Sequence, residues 1–477
     1  MREPLRPATL PNTKSPWATK AEEHEDRQAA AEAHLAVLRT QLPDLLSRFA
    51  RIRDPRRPGS VRHRLTVLMV YGVLLFAFGL ASRREANREL SRPALWETLR
   101  EVFPELDSIP HADTLERLLD RLEPEKDIEA VLAARVRALV RRQKLRVLMV
   151  ERGYVVAIDG EQLFARDHAF AAQATHRREG EEVHYAAYVV KALLVCPEGV
   201  RLPLGAEFCE NVQVDQDGKI DEEHKQDCEF RASQRLCARL REYFPHLPIL
   251  LVADGLYAAM PVVEMCRRYR WDFMIVLKEG KMPSLWREVE ELHGMDGEEN
   301  TRRQTWRGRE QKLWWVNGVE HEVRVGSERR RYKLNAVVCE ERWHETRADG
   351  TEEEKTARHA WLSGRPLSER NVHRRCNLAG RHRWDLEEEI SLEKHVEHMS
   401  HAFSLNWTAI KAWYYLMLLG TLINTLALYT THLFGWVQRL GVRATTRFVW
   451  ETYTVQGMDP DRLKRTLARP AQLRLIF

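Results

Sequence analysis

The sequence predicts an α/β fold, in which helices flank a mixed β-sheet, a β-rich insertion interrupts the sheet domain, and an all-helical domain precedes it. Three observations support this prediction. Helical periodicity dominates up to residue 150. From Tyr154, three strand-like runs are followed by alternating helix and strand, the order of a mixed sheet covered by helices. Between residues 300 and 365, strand-like runs surround Asn317-Gly318 and Asp349-Gly350, two dipeptides typical of hairpin turns.

The composition is that of a folded protein with a heavily charged surface. The chain has 477 residues, of which 30% are charged and 44% hydrophobic, so it is long enough for two or three domains. The formal net charge is only +5, but arginines concentrate in the runs 51–64, 135–146, 302–309 and 329–333. Such runs suit a phosphate backbone, whereas for any single run a solvated helix or loop is the simpler explanation.

The cysteines and the N-terminus indicate the compartment. Seven cysteines are scattered without a CxxC pair or Cys/His ligand spacing, which argues against a zinc site or a disulfide framework and fits a reducing cytoplasm. The first residues lack the apolar stretch of a secretory signal. Residues 65–82 and 412–437 approach the length of a membrane span, but arginines on both flanks of the first and polar residues within the second favour buried helices.

The domain order follows from these textures. We expect a flexible tail over 1–19, a helical domain over 20–150, a core over 151–299 and 366–437, the β-rich insertion over 300–365, and a basic C-terminal segment over 438–477. The helical domain has arginine-rich edges and is interpreted as DNA-binding, with a dimerisation or scaffold domain as an equal alternative.

Two aspartates carry the first chemical signal. Asp159 and Asp254 each close an apolar strand, and each is followed by glycine. Carboxylates at strand ends beside small residues can converge over a sheet edge where backbone and phosphate approach closely. For either aspartate alone, a turn or helix cap is the simpler explanation.

The stretch RHRWDLEEEISLEK, residues 381–394, carries the second signal. Read as a helix, it places Arg383, Glu387 and Lys394 on one face, an acid between two bases. Glu388 and Glu389 compete with Glu387, but helical phase turns them about 100° and 200° away from that face. On spacing alone, ordinary salt bridges on a solvated face are the simpler explanation. Together with the two aspartates, Glu387 completes three carboxylates, a set that favours Mg²⁺ or Mn²⁺ over zinc.

These residues resemble DDE transposases of the RNase H-like class, of the bacterial insertion-sequence kind with a β-rich insertion before the glutamate. The resemblance rests on VAIDG at 156–160, LVADGLY at 251–257, and Arg383, Trp384, Glu387 and Lys394, which match a Tyr-Arg-Glu-Lys signature. It covers roughly residues 154–437, and the position of the signature tyrosine is Gly380 here.

The resemblance implies roles for these residues. Asp159, Asp254 and Glu387 would form the catalytic triad and bind two Mg²⁺ ions, with Mn²⁺ as a substitute. Arg383 and Lys394 would contact DNA phosphates. An aromatic residue of the insertion would stack on a flipped base, for which Trp306, Trp314 and Trp315 are candidates, with burial in the β core as the alternative for each.

The predicted function is therefore that of a cytoplasmic transposase. It would bind the terminal inverted repeats of its own element in double-stranded DNA, cleave by two-metal hydrolysis and join the 3′-OH ends to target DNA, as a homodimer across the paired ends. Three alternatives stay open: an RNase H-like nuclease that cuts without joining, a catalytically inactive DNA-binding protein derived from a transposase, and a membrane protein built on the two apolar segments.

Overall fold

The computed structural model describes residues 16–211, 226–296, 298–325, 328–346, 350–395, 398–430, 433–468 and 473–475. Most of the predicted tail 1–19 thus lies outside the described residues. The helices are α1 (Lys20–Phe49), α2 (Leu65–Ala77), α3 (Arg83–Glu89), α4 (Pro93–Val102), α5 (Ala112–Leu119), α6 (Ala130–Arg141), α7 (Glu229–Tyr243), α8 (Met260–Tyr269), α9 (Pro283–Asp296), α10 (Val372–Asn377), α11 (Trp384–His395), α12 (Trp407–Leu428), α13 (Phe434–Leu440), α14 (Val442–Glu451) and α15 (Pro460–Ala468).

The strands are β1 (Met149–Val150), β2 (Gly153–Arg166), β3 (Thr175–Glu179), β4 (Glu182–Val195), β5 (Arg201–Phe208), β6 (Ile249–Ala253), β7 (Asp272–Val276), β8 (Thr301–Trp306), β9 (Arg309–Val325), β10 (Glu328–Thr346) and β11 (Glu352–Ser363). This mixture of helices and one large mixed sheet confirms the predicted α/β class.

The described chain divides into two compact units. The first combines the described residues within 1–43, 88–107 and 426–476, and the second combines those within 44–87 and 108–425. The predicted helical domain 20–150 is therefore shared between the two units. The cause is long-range packing, since the first unit joins the N-terminal helix to the C-terminal helices. Local sequence periodicity cannot predict such packing between distant helices.

Buried polar contacts hold the first unit together. His34 Nδ1 lies 3.0 Å from Tyr453 Oη, which also donates to the Ala31 carbonyl at 3.0 Å. Gln28 Nε2 donates to the Gly457 carbonyl at 2.9 Å. These contacts tie the first half of α1 to the segment after α14.

The second unit is built on one sheet. Its described strands follow the order β3-β4-β2-β6-β7-β11-β10-β9-β8, with β1 beside β2 and β5 beside β4. The pairs β2 with β6 and β6 with β7 are parallel, and the others are antiparallel. β6 has the sequence ILLVA and is buried at every position, as expected for a strand with parallel neighbours on both sides.

The β-rich insertion extends this sheet instead of standing apart from it. Its last strand, β11, pairs with β7 in the register Trp361 to Val276, and β10, β9 and β8 follow outward. Two turn predictions have different outcomes. Asn317-Gly318 is not a hairpin turn, because β9 runs on to Val325 and the dipeptide forms a bulge opposite Asn335, between the pairs Val316–Ala336 and Val319–Leu334. For the second prediction, β10 and β11 do pair as antiparallel neighbours up to Thr346 and Glu352, whereas Asp349 of the predicted turn lies outside the described residues.

The two apolar segments are helical. Every residue of α2 except Thr66 is buried, and most of α12 is buried as well. Among the described residues, no helix combines the length and apolarity needed to cross a membrane.

Candidate active site

Two aspartates lie side by side where the parallel pairing of β2 and β6 ends. The register pairs Ile158 with Ala253, so Asp159 and Asp254 each come directly after the last pair of this ladder. Asp254 follows β6 as predicted and caps a short 3₁₀ turn, Gly255–Tyr257, with its Oδ1 accepting from the Leu256 N–H at 2.7 Å. The two carboxylates are close enough for the charge of Asp254 to act on Asp159.

Asp159 does not end its strand, which corrects the prediction. β2 continues to Arg166 because its other side pairs with β4, in a register that sets Asp159 opposite Lys191. The apolar run stops at Ile158 because burial on both faces stops there. The sequence signal thus marked the limit of the buried part of the strand.

Arg383 joins Asp159 to Glu387. It ends the 3₁₀ turn Gly380–Arg383 that leads into α11. Its Nη1 donates to Asp159 Oδ2 at 3.0 Å, and its Nη2 donates to Glu387. The predicted face of α11 therefore reaches the two aspartates through an arginine, and the side chain of Glu387 stays 54% exposed.

Two further charged side chains of α11, Glu388 and Lys394, agree with the predicted helical phase. Glu388 turns away from the aspartates and pairs with Arg201. Lys394 donates to Glu161 Oε1 at 2.5 Å, and Glu161 lies two residues beyond Asp159 on β2. Both predicted phosphate contacts, Arg383 and Lys394, are thus paired with acids of the same strand.

The environment of Asp159 favours its neutral form. Burial raises its pKa to about 6, the charge of Arg383 opposes this rise, and the charges of Glu229 and Asp254 add to it. An acid with this pKa is partly protonated just below neutral pH.

The donor chemistry fits a hard cation, because carboxylate oxygens are the ligands that Mg²⁺ and Mn²⁺ prefer. Among the residues that the structure describes, however, no three His, Cys, Asp or Glu side chains are grouped closely enough to hold a metal ion. Arg383 explains this spacing, since its guanidinium lies between Asp159 and Glu387 and supplies the positive charge there. For all three acids to share an ion, Arg383 has to leave that position.

The glycine at residue 380, where the signature has tyrosine, has a steric explanation. A Cβ atom on Gly380 would lie 2.9 Å from Nε1 and 3.1 Å from Cε2 of Trp361. Trp361 is fully buried in β11 and cannot give way without repacking the core. Its indole therefore excludes any larger side chain at this position.

The three candidate tryptophans differ in accessibility. Trp314 and Trp315 are buried in β9, at 3% and 4% exposure, and Trp314 stacks on His293. Trp306 is partly exposed at the end of β8, and Arg307 and Arg381 lie over its ring at 4.8 and 5.2 Å. Of the three, Trp306 is the one whose ring solvent reaches.

Sequence reasoning missed Glu229, whose carboxyl group packs against Gly160, the residue after Asp159. It accepts a hydrogen bond from Tyr188 Oη at 2.9 Å and another from Tyr257 Oη at 2.8 Å. An acid at the first position of a helix is typical of ordinary helix termini, so the sequence carries no signal for this role. Glu161 could have been found, because residues two apart on a strand share a face.

Comparison with known proteins gives a family match over part of the chain and similarities to solved structures. Residues 46–134 match the family described as DDE_Tnp_1-associated. No curated protein matches the chain by sequence. A solved structure described as the piggyBac transposase synaptic complex with hairpin DNA is similar over 92% of this chain and 83% of that one, at 12% identity and a TM-score of 0.37. The match of residues 46–134 supports a DDE-type transposase, and it does so from a part of the chain outside the three acids.

Proposed function

We propose that this chain is a DDE transposase. It binds the terminal inverted repeats of its element as double-stranded DNA, cleaves phosphodiester bonds with two Mg²⁺ ions, and transfers the 3′-OH ends to target DNA. A homodimer would hold the paired ends. The observation that carries the proposal is the meeting of Asp159 and Asp254 at one level of a parallel strand pair, with Glu387 joined to them through Arg383.

Each residue has a role in the proposed reaction. Asp159, Asp254 and Glu387 would hold the ions, which supply a more acidic water or hydroxyl nucleophile and neutralise the leaving oxygen. Arg383 and Lys394 would exchange their carboxylate partners for phosphate oxygens of DNA, since arginine and lysine bind both anions in the same way. Moving Arg383 onto DNA would free Asp159 and Glu387 at the same time.

The test removes one acid at a time. We expect Asp159→Asn, Asp254→Asn and Glu387→Gln each to lower Mg²⁺-dependent cleavage by at least about a thousandfold, because each removes a charged ligand from a site that acts as a unit. Binding of the same DNA should change little. The measurement is cleavage and gel-shift binding of labelled DNA that carries the inverted repeats flanking the coding region.

Glu388→Gln is the matched control. Glu388 is the next residue on α11 but pairs with Arg201, so its loss should leave cleavage unchanged. Metal-dependent cleavage that survives in the variant lacking all three acids would contradict the proposal.

Two alternatives are separated by a second assay. Joining of a pre-cut end to plasmid DNA distinguishes a transposase from a nuclease that cuts without joining. Tight DNA binding without cleavage in Mg²⁺ or Mn²⁺ would indicate an inactive DNA-binding descendant. The spacing of the described acids is the observation that keeps this descendant as the second candidate.

A further inference from the structure

Glu229 connects two parts of the chain that carry the aspartates. It begins α7, and its two carboxylate oxygens accept from different tyrosines, Tyr188 on β4 and Tyr257 after β6. Burial and the charge of Glu229 raise the pKa of both hydroxyls, so both stay protonated and donate. The carboxylate is therefore fixed from two sides.

The first connection reaches Asp159 through Gly160. A Cβ atom on Gly160 would lie 2.6 Å from Cδ of Glu229 and 2.7 Å from Cε1 of Tyr188, so only glycine leaves room for these two groups. The Gly160 N–H in turn donates to Asp159 Oδ1 at 3.0 Å. Glu229 thus packs against the peptide that orients Asp159.

The second connection reaches Asp254 through Tyr257. The Tyr257 N–H donates to the Asp254 carbonyl at 3.1 Å, and its ring is buried. Because the Tyr257 hydroxyl is held by Glu229, the turn that Asp254 caps is held at both of its ends. One side chain therefore fixes the backbone beside each aspartate.

From this arrangement we infer that Glu229 is a positioning residue, which sets the separation and orientation of Asp159 and Asp254 for metal binding without contacting the metal. The inference rests on the proposed function. Partners that orient metal ligands usually change metal affinity or activity by about 10- to 100-fold when they are removed.

The chain offers a matched comparison in Glu129. This glutamate is fully buried, pairs with Arg239 at 2.7 Å and accepts from Tyr243 Oη at 3.3 Å. Like Glu229, it is an acid bonded to a tyrosine, but its partners lie on α7 and β5: Arg239, Tyr243 and the Ala206 N–H. Tyr243→Phe therefore removes the same kind of hydrogen bond as Tyr257→Phe without touching the site.

The experiment measures Mn²⁺ binding by electron paramagnetic resonance to the full-length chain bound to DNA that carries the inverted repeats, with the same DNA alone as the background, together with thermal unfolding. We expect Glu229→Ala to raise the Kd for Mn²⁺ by about tenfold or more, and Tyr257→Phe to raise it severalfold. Glu229→Gln keeps the size of the side chain and one acceptor oxygen, so it should recover most of the affinity. Tyr243→Phe should lower the unfolding temperature and leave the Kd unchanged.

Three results would overturn the positioning role of Glu229. An unchanged Kd in both Glu229→Ala and Tyr257→Phe, with normal Mn²⁺ binding by the wild type, would overturn the positioning role and leave the proposed function intact. An equal rise in Tyr243→Phe would reduce the effect to general stability and overturn the role as well. Absence of Mn²⁺ binding in the wild type would overturn the proposed function and the inference together.

Discussion

The basic residues of the candidate site and those of the loop 51–64 differ in what holds them. In the site, Arg383 pairs with Asp159 and Glu387, and Lys394 pairs with Glu161. In the loop, four exposed arginines form no ion pair with any other described residue; they are Arg51, Arg53, Arg57 and Arg62. The basic side chains of the site are therefore held in place by acids, whereas these four arginines can bind a polyanion without first leaving an acid partner.

The loop is nevertheless ordered by its own contacts. Arg56 binds Asp54 at 2.6 Å and donates to the His63 carbonyl at 2.9 Å, and His63 contacts Ser108 Oγ at 2.7 Å. The loop lies within the segment that matches the DDE_Tnp_1-associated family. One arginine is therefore used for structure, and its neighbours are presented on the surface.

The largest expected effect comes from removing the four open arginines. If they contact DNA phosphates, replacing all four with alanine should weaken DNA binding by at least about 100-fold at 0.1 M salt. The slope of log K against log salt concentration should also become shallower by about 3 to 4. The measurement is a titration of labelled DNA at several salt concentrations.

Arg329 and Arg331 provide the control. They are exposed as well but pair with Glu322 and Glu320. The same loss of affinity per residue from Arg329→Ala and Arg331→Ala would show that pairing does not decide which arginines bind DNA, and the comparison would fail.

A smaller effect concerns stability. Because the pKa of Asp159 in the folded chain, about 6, lies above its unfolded value of 3.8, ionisation destabilises the fold as pH rises through this interval. Asparagine cannot ionise, so Asp159→Asn should unfold with a higher free energy than the wild type. The difference should be absent below pH 4 and reach about 2 to 3 kcal/mol above pH 6. Urea unfolding with EDTA at several pH values measures it.

Asp44, beside the loop, should show the opposite sign. Burial works against its charged form, but hydrogen bonds and charges from Arg48 and Arg135 outweigh burial and lower its pKa. That contribution to stability is present above its unfolded pKa of 3.8 and is lost as pH falls through the lowered folded value. Asp44→Asn should therefore be less stable than the wild type at neutral pH, and equal pH profiles for the two variants would contradict the contrast.

The smallest effect is expected at Lys394. Glu161→Gln removes its acid partner and makes it resemble the open arginines, so DNA affinity at low salt should rise about two- to fivefold. Glu161 is a competitor for phosphate in this interpretation. A loss of affinity would instead mean that Glu161 holds Lys394 in its binding position.

The sequence predicted the parts of the site that depend on local order. Asp254 after a buried strand and Glu387 on one face with Arg383 both follow from short-range patterns. The continuation of β2 past Asp159 could not be predicted, because it depends on pairing with β4. The sequence showed that Gly380 departs from the signature. It could not show the reason, because Trp361, which leaves no room for a side chain there, lies on a strand distant in sequence.

The pairing of β11 with β7 limits how this protein can be shortened. Without the insertion, β7 would become the outer strand of the sheet, with a row of unpaired N–H and C=O groups where Trp361 and its neighbours now bond. Such an edge invites pairing with another chain. A deletion of the insertion would keep every proposed catalytic residue but would create an aggregation-prone edge in the same sheet. The insertion is therefore needed even if its tryptophans do not contact DNA.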